Sequence, residues 1–402
     1  MKKNLTFRYT LQQVAYWAAA AGVMSFASAY LLAKGLPASL VGTLLSLGSL
    51  LSCAVQPVLA ERADRLGADK IKYMIAALSL CCMAFFGALL AIPMSTVPMG
   101  ICYLFGIFTF DAMMPLLNAV SVSCNNAGMK INYGVGRGIG SLAYSLAALG
   151  LGRIIADFGE DWMIWAILAL MAFNIIISLG YPSAAAASTE RRRNDSCSII
   201  TFFCRYRRYC FSLLGVLLLG AFHAMTENFM IKIFDRLGGG SAEVGVALFV
   251  ATAIEAVVLL FFEPIRRRIS EGWLLKIAGL SFLLKSFLFI VSGSVEAIYL
   301  VQLLQATSYS FLAPTQVFYA EKKVRPEDMV KGQAFITAAY SLGCAGGNFA
   351  GGFFIEHFGV GAMLWFGVVL AALGTGVFFL TVNKKDKCIM EALAPSQSWL
   401  TP

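Results

Sequence analysis

Twelve apolar stretches, each long enough to cross a bilayer, divide this 402-residue chain, and its basic residues crowd alternate gaps between them. A hydrocarbon core takes about 20 apolar residues per helical crossing, and every backbone polar group must find its partner within that crossing. The pattern predicts an all-α membrane protein with segments near residues 10–33, 39–60, 71–92, 97–119, 132–155 and 161–181. A second set follows near 209–232, 242–263, 273–292, 296–320, 331–355 and 360–382. With 59% hydrophobic and 13% charged residues and a mean hydropathy of +0.76, the chain carries about half the charge usual in a soluble domain.

Of the 31 Lys and Arg residues, only Lys34, Arg153, Lys232 and Arg236 fall in gaps on one side. Arg137 and Lys285 lie inside helices, and the other 25 share the side of the N-terminus. That bias predicts cytoplasmic termini in a cell inner membrane. It also makes the net charge of +9 a topology signal spread over seven segments, not the concentrated patch a nucleic-acid partner needs. Residues 1–8 read as a short basic start, not a cleavable signal, because the next apolar stretch leads straight into another crossing. Ten cysteines without C-x-x-C spacing, and two distant histidines, suggest small apolar residues in a reducing compartment and no metal site.

The longest polar interruption, 183–208, holds two arginine clusters and separates six segments from six. The expected organisation is an N-terminal six-helix bundle over 1–182, a basic cytoplasmic linker over 183–208, a C-terminal six-helix bundle over 209–387 and a tail over 388–402. Equal halves of parallel topology are the sequence sign of one large class of carriers.

Between the second and third segments runs Ala60-Glu61-Arg62-Ala63-Asp64-Arg65-Leu66-Gly67-Ala68-Asp69-Lys70. It resembles the loop motif of the major facilitator superfamily, G-x-x-x-D-R-x-G-R-[RK], with matches at Asp64, Arg65 and Gly67 and Ala60 in place of the first Gly. The resemblance implies the major facilitator fold and a charge-paired cytoplasmic gate at those three residues. An acid at a helix end beside basic residues can pair across to a neighbouring helix, and breaking the pair releases it. The equivalent stretch of the second half, Glu263-Pro264-Ile265-Arg266-Arg267-Arg268, keeps the basic cluster and loses the Asp-Arg order.

A narrower resemblance starts at Tyr133-Gly134-Val135-Gly136-Arg137-Gly138-Ile139-Gly140-Ser141. This opening of the fifth segment is similar to that of lactose permease and its oligosaccharide:proton symporter relatives. There an arginine, a Gly with a small residue and a stacking aromatic hold the sugar, and Arg137, Gly140, Ser141 and Tyr144 occupy those places. Lys285 stands where the family has an arginine in the ninth segment. Gln305 and Ser308 replace its tenth-segment His and Glu, and its fourth-segment carboxylate has no match. Fold and transport class are implied; lactose and the family's proton path are not.

Charged groups at lipid depth are costly and tend to face a cavity or a partner. Glu255 lies in mid-segment with no charge within seven positions, so it is either a coupling carboxyl that binds and releases a proton or a permanently neutral structural acid. Asp111, Pro115 and Asn118 are spaced to share one helix face, lining a cavity unless Asp111 is simply hydrated at the outer end. Arg137 offers a planar fork of donors to a substrate, or snorkels to the cytoplasmic interface. Lys285 needs a carboxylate partner, and Glu255 on the adjacent segment is the candidate.

His223 and Glu227, four apart, could relay a proton, with Asn228 beside them; alternatively His223 is a hydrogen-bonded packing residue. Gln302, Gln305 and Tyr309 form one expected polar stripe, suited to a hydroxyl-rich ligand or to interhelical bonding. Tyr16 and Trp17 could stack on a sugar ring or nucleobase, or belong to an interfacial belt. The glycines at 150 and 152, and at 343, 346, 347, 351 and 352, read as close helix packing.

No P-loop and no nucleophile–base pair appears, so the chain does not read as an enzyme and needs no cofactor. The function expected is secondary active transport of a small polar solute, an oligosaccharide, sugar or nucleoside, in symport with protons. The proton gradient is the energy source, and the partners are substrate, protons and bilayer, with the chain monomeric. Asp111, His223, Glu227, Glu255 and Lys285 would carry proton coupling. Tyr16, Asn118, Arg137, Ser141, Tyr144, Asn228, Gln302, Gln305 and Tyr309 would bind substrate. An efflux antiporter is the first rival, disfavoured because residues 132–181 contain no proline for the Gly-Pro kink such exporters carry. A non-transporting receptor or scaffold on the same fold is the second.

Overall fold

The computed structural model describes residues 5–66, 68–181 and 198–382, and the described residues are helical with no strand. Segment 1 comprises Leu5–Ala20, a π turn at Ala21–Ser25 and Ala27–Ala33. Segments 2 and 3 are Ala38–Leu66 and Ala68–Ala91. Segment 4 is Thr96–Asp111 followed by Met114–Asn126, and segments 5 and 6 are Tyr133–Phe158 and Asp161–Leu179. In the second half, segment 7 is Arg207–Asn228 with Met230–Asp235, segment 8 is Ser241–Leu260 with Phe262–Arg268, and segment 9 is Glu271–Val291. Segment 10 runs Val295–Gln302, a 3-10 turn at Leu303–Ala306 and Tyr309–Lys323.

The last helix, Met329–Thr381, is 53 residues long, about 80 Å at 1.5 Å per residue and far beyond one crossing. It breaks at Gly359, whose φ of 81° no other residue type adopts freely. Gly343, Gly347 and Gly351 lie in order along Leu217, Ala221 and Met225 of segment 7, whereas Gly374 and Gly367 meet Leu219 and Phe222 in the reverse order. The two arms therefore run in opposite directions as segments 11 and 12. By length and composition alone, nine described helices can cross a membrane, or ten with the bent first segment. The expected twelve requires this division at Gly359 and the joining of the broken segment 10.

Breaks in the helices have local causes. Pro115 has no N–H to give to the carbonyl of Asp111, and that carbonyl instead accepts from Gln56 Nε2 at 3.2 Å. In segment 10 the helix is interrupted at Thr307 and Ser308, and the Ser310 hydroxyl donates to the Gln305 carbonyl at 2.7 Å. The π turn in segment 1 ends with Phe26 N–H on Ala21 O at 3.2 Å, and the Tyr103 hydroxyl donates to Val23 O at 3.2 Å.

Segments 5 and 8, and segments 2 and 11, pack across the two halves. A Cβ on Gly152 would stand 2.6 Å from Ser241 O, and one on Gly245 would stand 2.7 Å from Ala148 O, so backbone meets backbone there. Further in, Ser145 Oγ and Thr252 Oγ1 are 2.6 Å apart. On the other seam Ala38 N–H donates to Glu356 Oε2 at 2.8 Å, and Ser46 Oγ donates to Ala345 O at 2.6 Å. Apart from the Ser145–Thr252 contact at mid-helix, these contacts lie in the half of the molecule that the basic-residue bias assigns to the outside.

The expected linker is not loose throughout. Residues 182–197 lie outside the described set, but Ser198 caps a short helix, Ile199–Arg205, accepting from Thr201 N–H at 3.3 Å. Phe202 is fully buried, and both the Tyr206 hydroxyl (2.9 Å) and Arg205 (3.3 Å) reach Asp328 Oδ2. The end of the linker is thus part of the second half, because its aromatic residues have a core to enter.

Candidate functional site

Four polar side chains from segments 7, 8, 9 and 10 form one chain of contacts. Lys285 is 0% exposed; its ammonium donates to Gln305 Oε1 at 2.8 Å and stands 3.6 Å from Glu227 Oε1. Gln305 Nε2 in turn reaches Glu255 Oε2 at 3.5 Å. The break in segment 10 aims that amide, since its own carbonyl is held by Ser310. A cation at lipid depth requires a nearby carboxylate to offset its desolvation. Glu227 supplies it with a side chain 19% exposed. The expectation that Glu255 pairs with Lys285 is corrected: Glu227 makes the ion pair, and Glu255 is linked only through the amide.

Across the gap, Arg137 places its guanidinium 3.9 Å from the centre of the Trp17 ring and donates from Nη1 to Ser141 Oγ at 2.7 Å. Trp17 Nε1–H is fixed by Gln13 Oε1 at 3.0 Å, and Gln13 Nε2 donates to the Tyr9 hydroxyl at 2.6 Å. Gly140 leaves room for the indole: a Cβ there would sit 2.7 Å from Trp17. Arg137 has no carboxylate partner among the described residues. The first half thus carries a guanidinium on an aromatic floor, and the second a cluster holding two carboxylates and an ammonium. Such an arrangement can bind a ligand rich in hydroxyls and carbonyls and can hold or pass a proton.

The model of the MFS_1 like family, a branch of the major facilitator superfamily, matches residues 7–366. This chain belongs to the MFS_1 like family. No curated protein matches the sequence. Among solved structures, nucleoside transporter NupG is similar with a TM-score of 0.77 at 17% identity, covering 94% of this chain and 98% of that one. A mutant form of the same transporter gives 0.80 at 16% identity, covering 94% and 99%. A D-xylose-proton symporter gives 0.66 at 13% identity, covering 94% and 97%. At these identities the likeness establishes the fold alone, the all-helical major facilitator fold.

In this MFS_1 like protein several expected site residues fall elsewhere than their spacing suggested. His223 does not bond to Glu227; its ring stacks on Tyr309 at 4.7 Å and 14°, its Nδ1 has no partner among the described residues, and Glu227 is engaged by Lys285. Asn228 belongs to a seam, because its Nδ2 donates to Asn348 Oδ1 at 2.6 Å and its carbonyl accepts from the Ser28 hydroxyl of the other half. Tyr16 is buried within the first bundle, stacked on Phe110 at 4.4 Å, while its neighbour Trp17 carries the arginine. Tyr144 pairs its hydroxyl with Ser25 in the π turn.

Asp111 ends one helical stretch of segment 4 and Pro115 and Asn118 lie in the next, with Ala112 and Met113 between them in helical backbone. Among the described residues the Asp111 carboxylate has no hydrogen-bond or ion-pair partner, and Asn118 Oδ1 is buried without one. Gln302 stands directly before the 3-10 turn that holds Gln305 and is fully buried, with both amide atoms unpaired among the described residues. Gly67 and the side chains of Asp64 and Arg65 lie outside the described residues. Sequence reasoning passed over Gln13, whose four-residue spacing to Tyr9 and Trp17 was the available signal.

Proposed function

We propose that this protein imports a small, polar, uncharged solute, a nucleoside or a sugar, together with protons by alternating access. The observation that carries the reading is the Glu227–Lys285–Gln305–Glu255 chain facing Arg137 on its Trp17 floor. Glu255 has an amide but no cation in contact among the described residues, so it is the group free to gain and lose a proton. Whether or not it is protonated, Glu227 and Lys285 balance each other, so the buried ammonium keeps its partner through the cycle. The planar faces of Trp17 and Tyr309 and the remaining donors of Arg137 suit a ring bearing hydroxyl and carbonyl oxygens. Similarity to a nucleoside transporter and to a D-xylose-proton symporter supports this solute class.

In this reading residues 1–182 rock against 209–387 in an inner membrane with both termini cytoplasmic, and the molecule works as a monomer. Asp64, Arg65 and Gly67 close the inner side, and the Gly152/Gly245 and Ala38/Glu356 seams close the outer side. Uptake of labelled nucleosides and sugars into proteoliposomes under an imposed pH gradient tests it. Accumulation that collapses with a protonophore supports symport. Alkalinisation of the lumen on adding external solute identifies an exchanger, and binding without counterflow identifies a receptor.

A further inference from the structure

Segments 9 and 12 touch at two points near the cytoplasmic end. A Cβ on Gly272 would lie 2.9 Å from Val382 Cγ1, and one on Gly279 would lie 3.1 Å from Thr375 Oγ1. Between those contacts Lys276 enters the crevice. Its ammonium lies 4.7 Å from the Trp273 ring centre and 5.1 Å from that of Phe379. The residue is 0% exposed, and Nζ has no hydrogen-bond partner among the described residues. Aromatic faces attract a cation but cannot accept its three hydrogen bonds, so the ammonium lacks an anionic acceptor there.

The rim of the slot faces the membrane. Trp273 is 56% exposed, and Leu280 and Leu380 on the same two segments are also exposed. Lys276 is five residues from the first residue of Glu271–Val291, about 7 Å along the helix axis, at the level where headgroups meet acyl chains. Other basic residues of this region are engaged: Lys322 and Arg266 share Glu271, and Arg266 also holds Glu263.

We propose that Lys276, between Trp273 and Phe379, is a binding site for the phosphate of an anionic phospholipid in the cytoplasmic leaflet. A four-carbon stem lets the ammonium swing from the aromatic slot to the headgroup plane, where a phosphodiester oxygen accepts from it. Trp273 packs along the glycerol and upper acyl region, as interfacial indoles do. The site is independent of the substrate pathway and ties the second bundle to the charge of the inner leaflet.

Native mass spectrometry of the full chain, released from vesicles of phosphatidylglycerol and phosphatidylcholine, tests this. Wild type should retain one more phosphatidylglycerol than Lys276→Gln, whose occupancy should fall roughly tenfold, corresponding to about 1.4 kcal/mol. Lys276→Arg should restore retention, and Lys130→Gln, a cytoplasmic loop control, should leave it unchanged. Equal phosphatidylglycerol retention by wild type and Lys276→Gln overturns the proposal. Displacement of the lipid by millimolar inorganic phosphate also overturns it, since the site would then serve a free anion. Thermal unfolding in detergent keeps the result readable: the lipid loss must occur in a Lys276→Gln protein that unfolds at the wild-type temperature, and Phe379→Leu, which removes one wall and keeps the charge, must reduce retention too.

Discussion

Lys285 and Glu255 meet only through a single amide, Gln305, which accepts from the ammonium at 2.8 Å and reaches the carboxylate at 3.5 Å. The ammonium rests on Glu227 instead. Protonation of Glu255 therefore does not leave a buried cation unpaired, and one carboxylate can titrate while the other holds the lysine.

That division of labour predicts that Glu255→Gln abolishes pH-driven accumulation of solute while downhill counterflow continues. Uptake and counterflow in the same proteoliposomes check it. Normal concentration of solute by the variant would remove Glu255 from the coupling role.

Glu227→Gln should behave differently. It strips the carboxylate from a fully buried lysine, a loss on the order of 3 kcal/mol, so the unfolding temperature should fall. The double variant Glu227→Gln/Lys285→Met should recover much of that loss and still fail to transport. Thermal unfolding of the purified variants measures both effects.

Arg137→Lys keeps the charge but loses the planar fork and the close contact with the Trp17 ring. Weaker solute binding by roughly tenfold, about 1.4 kcal/mol, is expected as a raised KM for uptake. Trp17→Ala should give a similar loss, and the two effects should not add, because the indole and guanidinium act as a unit.

Gly245→Leu puts a branched side chain where a single Cβ would already stand 2.7 Å from Ala148 O. The outer ends of segments 5 and 8 should separate. Spin-label distances between outer residues of the two halves should lengthen, and transport should stop without loss of the folded state.

At the C-terminal end of segment 8, Arg266 and Arg267 hold the Glu263 carboxyl below its usual range. A depressed carboxyl contributes stability above its unfolded pKa and loses it as pH falls through the lower folded value. The stability difference between wild type and Glu263→Gln should therefore be constant at neutral pH and disappear in acid. Unfolding temperatures measured from about pH 7 down to about pH 3 show whether it does.

The crossings were legible because lipid leaves one solution for a long apolar stretch. The glycine clusters were legible in kind: Gly152, Gly343, Gly347 and Gly352 do press on backbone, although Gly150 and Gly346 face open space. Partner choice was not legible. Spacing places Glu227, Glu255 and Lys285 on helix faces but says nothing of which carboxylate the lysine reaches once four helices pack. Breaks were also hidden, since the π turn at Ala21–Ser25 and the interruption at Thr307 contain no proline. The first of those breaks sets Ser25 beside Tyr144.

Gly359 joins two opposed arms without an intervening loop. A corner of one residue has no slack to absorb a tilt. Any swing of the arm that seals against Ala38 and Ser46 must then be handed directly to the arm that packs on segment 9, so an event at the outer seam is felt at the opposite face of the bundle as leverage.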